Sequence, residues 1–186
     1  MTSHDRLVNM LALRSARRGS FTLASGRHSN LYVDARLTTM SPDGLATIGA
    51  LGLAAIAQAD WTPDAIGGLT LGADPVSYAV AYASALAGTP IRAFTVRKEV
   101  KNHGTGRLIE GPFLPGDRVI IVDDVITTGE SAIRAAAAVR AAGGVILGVL
   151  CVVDREEGGR EALNAAGFSV IALTRAVEIV SRLPPE

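Results

Sequence analysis

The sequence predicts an α/β fold: an open, mostly parallel sheet flanked by helices, with a small N-terminal hood. Three observations carry that reading. The run Val119-Ile120-Ile121-Val122 is four consecutive aliphatic residues, the pattern of a strand buried on both faces of a parallel sheet. Short apolar stretches alternate with Ala-rich helical ones through short connections, as in an open βα sheet. A hydrophobic content of 48% over 186 residues suits a sheet covered on both faces, within one domain of ordinary size.

Each element has its own signal. Residues 1–36 form the hood segment, with Leu7, Met10, Leu11 and Ala12 on one face of a short amphipathic helix, followed by Gly- and Ser-containing extended chain. Residues 37–186 form the core. Within it, residues 42–59 read as a helix, with Ser41 and Pro42 as its start signals. Residues 65–69 form a short strand, 75–86 a helix and 91–96 a strand. A charged, Gly-punctuated loop then runs to Gly116. Residues 118–122, 145–153 and 169–173 supply three more strands with helices between them, the first of these helices being 130–142. There is no internal repeat.

Composition excludes several classes of function. Eighteen basic residues balance eighteen acidic ones, so nothing global draws this chain to nucleic acid, and any anion site must be local. The apolar stretch 46–57 is too short and too rich in Ala and Gly to span a bilayer, and no membrane role is expected. The N-terminus lacks the compact apolar stretch of a secretory signal. Cys151 lies inside the apolar run 149–153 and reads as a small core residue; a lone thiol points to an intracellular, cytoplasmic protein.

The chemistry concentrates where the strand 118–122 should end. Asp123 and Asp124 follow it, then Val125, Ile126, Thr127, Thr128 and Gly129, and then Glu130 and Ser131 open the next helix. Backbone amides in such a loop, with the positive end of the helix, make a phosphate site. The two carboxylates can accept hydrogen bonds from a vicinal diol or help hold a magnesium-bound group. Together these describe a clamp for a ribose 5-phosphate. A P-loop would need a lysine after the last glycine, and a dinucleotide fold needs G-x-G-x-x-G; both are absent. The plainer alternative is a strand-turn-helix junction with Asp124 or Thr128 as helix N-cap.

Ligands of open α/β sheets sit beyond the carboxyl ends of the strands. That places segments 68–74, 97–111 and 123–129, with Asp154 and Arg155, around one crevice. The second segment begins Arg97-Lys98-Glu99-Val100-Lys101-Asn102-His103-Gly104 and has a further glycine at 106. Such a run is often only a solvated face. Here it leaves a strand directly, opens onto the crevice and is hinged by glycines, which suits a cationic lid over an anionic leaving group.

The 123–131 element closely resembles the phosphoribosyl-pyrophosphate (PRPP) motif of the type I phosphoribosyltransferases. Arg97-Lys98-Glu99-x-Lys101-x-His103-Gly104 resembles the catalytic loop of the orotate phosphoribosyltransferase family. The block Phe21-Thr22-Leu23-Ala24-Ser25-Gly26-Arg27-His28-Ser29, with Tyr32 and Asp34 beyond it, is similar to that family's hood. Asp154-Arg155-Glu156-Glu157-Gly158 resembles its second base-side element. The four blocks stand in order from about Phe21 to Gly158.

The resemblance implies a type I phosphoribosyltransferase fold and a magnesium-dependent glycosyltransferase of the pentosyl class. Its reaction would convert orotate and PRPP to orotidine 5′-monophosphate and pyrophosphate in pyrimidine synthesis. It implies Asp123 and Asp124 on the ribose hydroxyls, and residues 123–131 around the phosphate. Arg97, Lys98, Lys101 and His103 would serve the pyrophosphate, with Lys101, His103 and Asp124 as the catalytic set. Thr127, Arg155, Tyr32 and Val33 would line the base. Mg²⁺ would arrive on PRPP, held by substrate and water with no direct protein ligand. A homodimer is implied in which the cationic loop reaches into the neighbour's site. The chain departs from many members at Ala24, where they carry a lysine, and at Leu71-Gly72, where some have Tyr-Lys. Rival readings are a phosphoribosyltransferase for another base, or a PRPP-sensing regulator, which would want a DNA-binding domain or a basic surface.

Overall fold

A computed structural model describes residues 1–22, 28–99 and 108–184. Its centre is a six-stranded sheet in the order β5-β4-β3-β6-β7-β8. The strands are β3 (Ala65–Leu69), β4 (Arg92–Val96), β5 (Ile109–Glu110), β6 (Arg118–Ile126), β7 (Val145–Asp154) and β8 (Val170–Arg175). All pair in parallel except β5, which runs antiparallel to β4.

The period-2 alternation of side chains divides the core into two faces. Ile66, Ile120, Val122, Leu150 and Val152 point to one face, where they meet α1 (Ser3–Met10), α3 (Pro42–Gln58), α4 (Ala73–Leu86) and α7 (Ala176–Val180). Ala65, Val119, Ile121, Val149 and Cys151 point to the other and pack on α5 (Glu130–Ala141) and α6 (Gly159–Ala165). Cys151 is the buried core residue its setting implied, and burial pushes its thiol up.

Helix starts follow local chemistry. Ser41 caps α3 by accepting from the Gly44 amide at 3.2 Å, with Pro42 in the first turn. α4 begins at Ala73, two residues before the expected start; Pro75 sits inside its first turn, where no intrahelical N–H bond is lost. β5 was not expected, since two residues of pairing leave no periodic trace.

In the expected hood, α1 and the π-helical turn Leu11–Ser15 send Leu7, Val8 and Leu11 into the same core as Ile48 and Ile179. The antiparallel hairpin of β1 (Ala16–Thr22) and β2 (His28–Val33) follows, then a single helical turn, α2 (Arg36–Thr39). Among the described residues no helix is long and apolar enough to cross a membrane.

The most consequential difference from expectation lies in β6. It was expected to stop at Val122, yet it continues to Ile126 and carries both aspartates. Its partner β7 is the cause: Asp123 pairs with Cys151, Val125 with Val153 and Ile126 with Asp154. On the opposite side, β3 pairs only as far as Gly68 with Val122. The last four residues of β6 therefore overhang β3 and present one open edge.

Candidate active site

The crevice beside that overhang encloses about 600 Å³. Its floor is Asp123, Asp124 and Val125; Thr127, Thr128, Glu130 and Ser131 close one end. The 69–72 turn forms the facing wall, Tyr32 and Val33 stand on the hood side, and Lys98 and Arg155 complete the rim.

Asp123 is buried, and that burial, followed by the neighbouring Asp124 charge, pushes its carboxyl up to about 8. Burial also raises Asp124, opposed by the hydrogen bond its Oδ1 accepts from the Val125 amide at 3.0 Å. The Gly72 backbone lies so close to Asp124 that a Cβ there would collide with its carboxylate. A side chain at position 72 would therefore have to displace the Asp124 carboxylate.

The loop beyond turns on Gly129, whose φ of 81° is a left-handed conformation suited to glycine. Gly129 is also the N-cap of α5 and offers no side-chain cap, so neither Asp124 nor Thr128 fills the role the plainer reading gave them. Thr128 Oγ1 accepts from the Glu130 amide only at 3.5 Å. The first-turn amides of α5 are thus left to serve an anion in the crevice.

Arg155 follows β7 and is buried. Its Nη2 donates to the Leu31 carbonyl at 2.8 Å and to Glu157 Oε1 at 2.6 Å, binding the hairpin to the sheet end. Beside it, Asp154 is paired with Arg160 at 2.7 Å and accepts from the Glu156 amide at 2.8 Å. The 154–158 segment is therefore a rigid corner.

The crevice brings together Tyr32, Val33, Lys98, Asp123, Asp124, Val125, Thr127, Thr128, Glu130, Ser131 and Arg155. Three expected residues do not line it. Ile126 is fully buried among core side chains, and Gly129 shapes the loop from behind, packed toward Leu163. Arg97 turns toward Glu110, 3.7 Å away, and donates to the Glu99 carbonyl at 3.3 Å. The placement of Ile126 follows from strand geometry, since alternate residues of β6 face away from the ligand side. Lys101, His103 and Ala24 lie outside the described residues. Of the 68–74 segment, Asp74 is turned away to accept from Thr70 at 2.6 Å and Thr95 at 2.8 Å, holding the 70–72 turn against β4. Sequence reasoning missed Arg36, which also lines the crevice. The Asp34-x-Arg36 spacing beside the hood block was its only signal.

A family model of the phosphoribosyl transferase domain matches residues 41–178. The orotate phosphoribosyltransferase of Aquifex aeolicus is 44% identical over 175 residues, covering 94% of each chain. That of Rhodopseudomonas palustris (strain BisB18) is 46% identical over 182 residues, covering 96% of each. Among solved structures, Mycobacterium tuberculosis orotate phosphoribosyltransferase in complex with PRPP superimposes with a TM-score of 0.82 at 39% identity, covering 96% of this chain and 99% of that one. A full-length match at this identity, over a sheet whose open strand end carries the acid pair and the uncapped helix, settles the descent: the chain belongs to the orotate phosphoribosyltransferase family.

Proposed function

We propose that this protein transfers ribose 5-phosphate from PRPP to orotate, releasing orotidine 5′-monophosphate and pyrophosphate. The observation that carries this reading is the crevice itself. One cavity of about 600 Å³ joins a carboxylate pair, an uncapped helix N-terminus and a buried arginine.

Each part supplies a distinct interaction. Ionised Asp123 and Asp124 accept hydrogen bonds from the ribose hydroxyls and fix the sugar against the β6 edge. The 127–131 loop and the α5 amides hold the 5-phosphate. Thr127, Arg155, Tyr32 and Val33 border the base, and a guanidinium suits the orotate carboxylate. The orotate ring nitrogen bonds to the anomeric carbon and gives up its proton while the bond from that carbon to the pyrophosphate oxygen breaks, the electron pair leaving with pyrophosphate, which takes up the proton. Lys98, Lys101 and His103 serve that leaving group, while Arg97, turned toward Glu110, stands outside the crevice. Positive charge near the departing oxygens lowers the barrier, because charge develops there as the bond opens.

Magnesium fits the site's chemistry. Asp123 and Asp124 are hard oxygen donors that would face an ion carried in on PRPP and held largely by substrate and water. The ion would neutralise pyrophosphate charge when it arrives on the substrate. Chelation with EDTA should abolish turnover, and added Mg²⁺ should restore it.

The homodimer reading is supported by a second cavity of about 800 Å³ between α3 and α4. Small residues such as Gly49, Ala50 and Ala83 line it, and Tyr82 and Leu86 stand exposed beside it. A contiguous apolar surface of this kind suits burial against another subunit. A cytoplasmic location agrees with the single buried thiol.

The decisive experiment is a base panel with PRPP and Mg²⁺, following the loss of orotate absorbance. Turnover is expected with orotate and not with uracil, adenine or hypoxanthine. Turnover of another base with orotate inert would overturn the assignment.

A further inference from the structure

We propose that Arg36 binds the pyrophosphate end of PRPP, supplying from the hood side of the crevice a cation that the facing wall of this chain does not provide. The inference rests on the reaction proposed above and adds a residue to it.

The facing wall is the first part of the argument. It consists of Leu69, Thr70, Leu71 and Gly72, none of them charged. Gly72 has no room for a side chain while Asp124 keeps its position. A cation serving the pyrophosphate must therefore come from elsewhere. The crevice already holds the carboxylates of Asp34, Asp123, Asp124 and Glu130, while its described cations are Arg36, Lys98 and Arg155. Arg155 is buried and engaged with Glu157 and Leu31. Among the described cations of the crevice this leaves Lys98 and Arg36 to face a substrate that carries both a diphosphate and a monophosphate.

The placement of Arg36 is the second part. It opens α2 immediately after β2, and its Nε and Nη2 donate to the two Asp34 oxygens at 2.8 and 3.0 Å. That pairing presets one edge of the guanidinium and leaves Nη1 without a hydrogen bond among the described residues. The side chain is 47% exposed, so a ligand can reach it. Arg36 also lines a smaller cavity with Leu71 and Met40, which puts it beside the 70–72 turn, and that cavity includes none of residues 127–131. The charge of Asp124 acts on it across the crevice, helping to raise its pKa along with Asp34. An exposed Arg–Asp pair contributes little to stability. What the Asp34 pairing does provide is orientation, and a guanidinium fixed along one edge keeps its other donors in a fork suited to phosphate oxygens.

The test compares wild type with Arg36→Gln and Arg36→Lys. Magnesium pyrophosphate and, separately, ribose 5-phosphate are titrated into each by calorimetry, beside steady-state kinetics with orotate and PRPP. Arg36→Gln is expected to weaken pyrophosphate binding and raise the KM for PRPP by about ten- to a hundredfold, the loss typical of a charge-assisted contact. Its ribose 5-phosphate affinity, KM for orotate and Tm should stay within about twofold or a few degrees of wild type. Arg36→Lys should recover part of the loss, retaining the charge without the fork. Unchanged pyrophosphate affinity in folded Arg36→Gln would overturn the inference, as would equal losses for both ligands, which mark a structural role. The parent reading fails separately, if wild type does not turn over orotate; the pyrophosphate titration still decides the role of Arg36 in that case.

Discussion

In the ligand-free protein burial and then the Asp124 charge push the Asp123 carboxyl up to about 8 and favour its protonated form. The folded value lies above the unfolded one near 4, so the folded state binds the proton more tightly. This acid costs nothing below about pH 4, and it erodes stability as pH rises from there to about 8. Urea denaturation across that range should show wild type losing stability relative to Asp123→Asn, which lacks the titrating group. A carboxylate accepts on both oxygens and more strongly than a neutral acid, so ribose hydroxyls donating to Asp123 favour its ionised form, and binding of PRPP at pH 7 should release a proton. Calorimetry in buffers of different ionisation enthalpy reads that release directly, and a value of zero would mean that Asp123 stays protonated in the complex. Arg155 gives the complementary prediction. Arg155→Ala should raise the KM for orotate roughly ten- to a hundredfold, since a hydrogen bond to a charged group is typically worth about 1.5–3 kcal/mol. The KM for PRPP should move far less. Because Arg155 also ties down the Leu31 carbonyl, a modest fall in Tm is expected with it. Equal small changes in both KM values would reduce Arg155 to that tie alone.

The element that makes the site is the β6 overhang, and its legibility was uneven. The four aliphatics 119–122 announced a buried strand, and the acid pair after them announced chemistry. What the local pattern could not show is that the acids continue the strand, because their extended conformation is imposed by β7 across the ladder. The same limit hid Arg36: its role depends on where the hairpin delivers α2, a matter of tertiary packing. The helices α3, α4 and α5 and the strands β3, β4, β7 and β8 came out within a few residues, whereas the single turn α2 and the five-residue α7 are too short to leave a periodic signal. Two glycines test the close fit around the overhang. At Gly68 a Cβ would meet the Val122 carbonyl in the neighbouring strand, whereas at Gly72 it would meet the mobile end of a side chain, Asp124. Gly68→Ala should therefore cost stability, about 1–3 kcal/mol as for other overpacked positions, visible as a lower Tm. Gly72→Ala should fold nearly as well and instead raise the KM for PRPP by displacing Asp124. The opposite pattern, with stability lost at Gly72 and kinetics disturbed at Gly68, would contradict this view of the β3–β6 cleft.

At the scale of the whole molecule, the resemblance implies a dimer whose cationic loop completes the neighbouring site. The described part of one chain brings Asp123, Asp124, the 127–131 loop, Arg155, Tyr32 and Val33 to one crevice, while Lys101 and His103 lie outside the described residues. If Lys101 acts in the partner's crevice, each site combines Lys101 of one subunit with Asp124 of the other. Lys101→Ala and Asp124→Asn homodimers should then both be nearly inactive, for different reasons. Mixing the two and allowing subunit exchange produces heterodimers in which one site carries both lesions and the other carries none. With random pairing roughly half of the dimers are mixed, so activity should recover to about a quarter of wild type per site. If the loop acts within its own subunit, every site keeps one lesion and no recovery occurs. Differently tagged chains that co-purify after mixing establish that exchange has taken place. Exchange without recovered activity would eliminate the shared site and leave each subunit catalysing with its own Lys101.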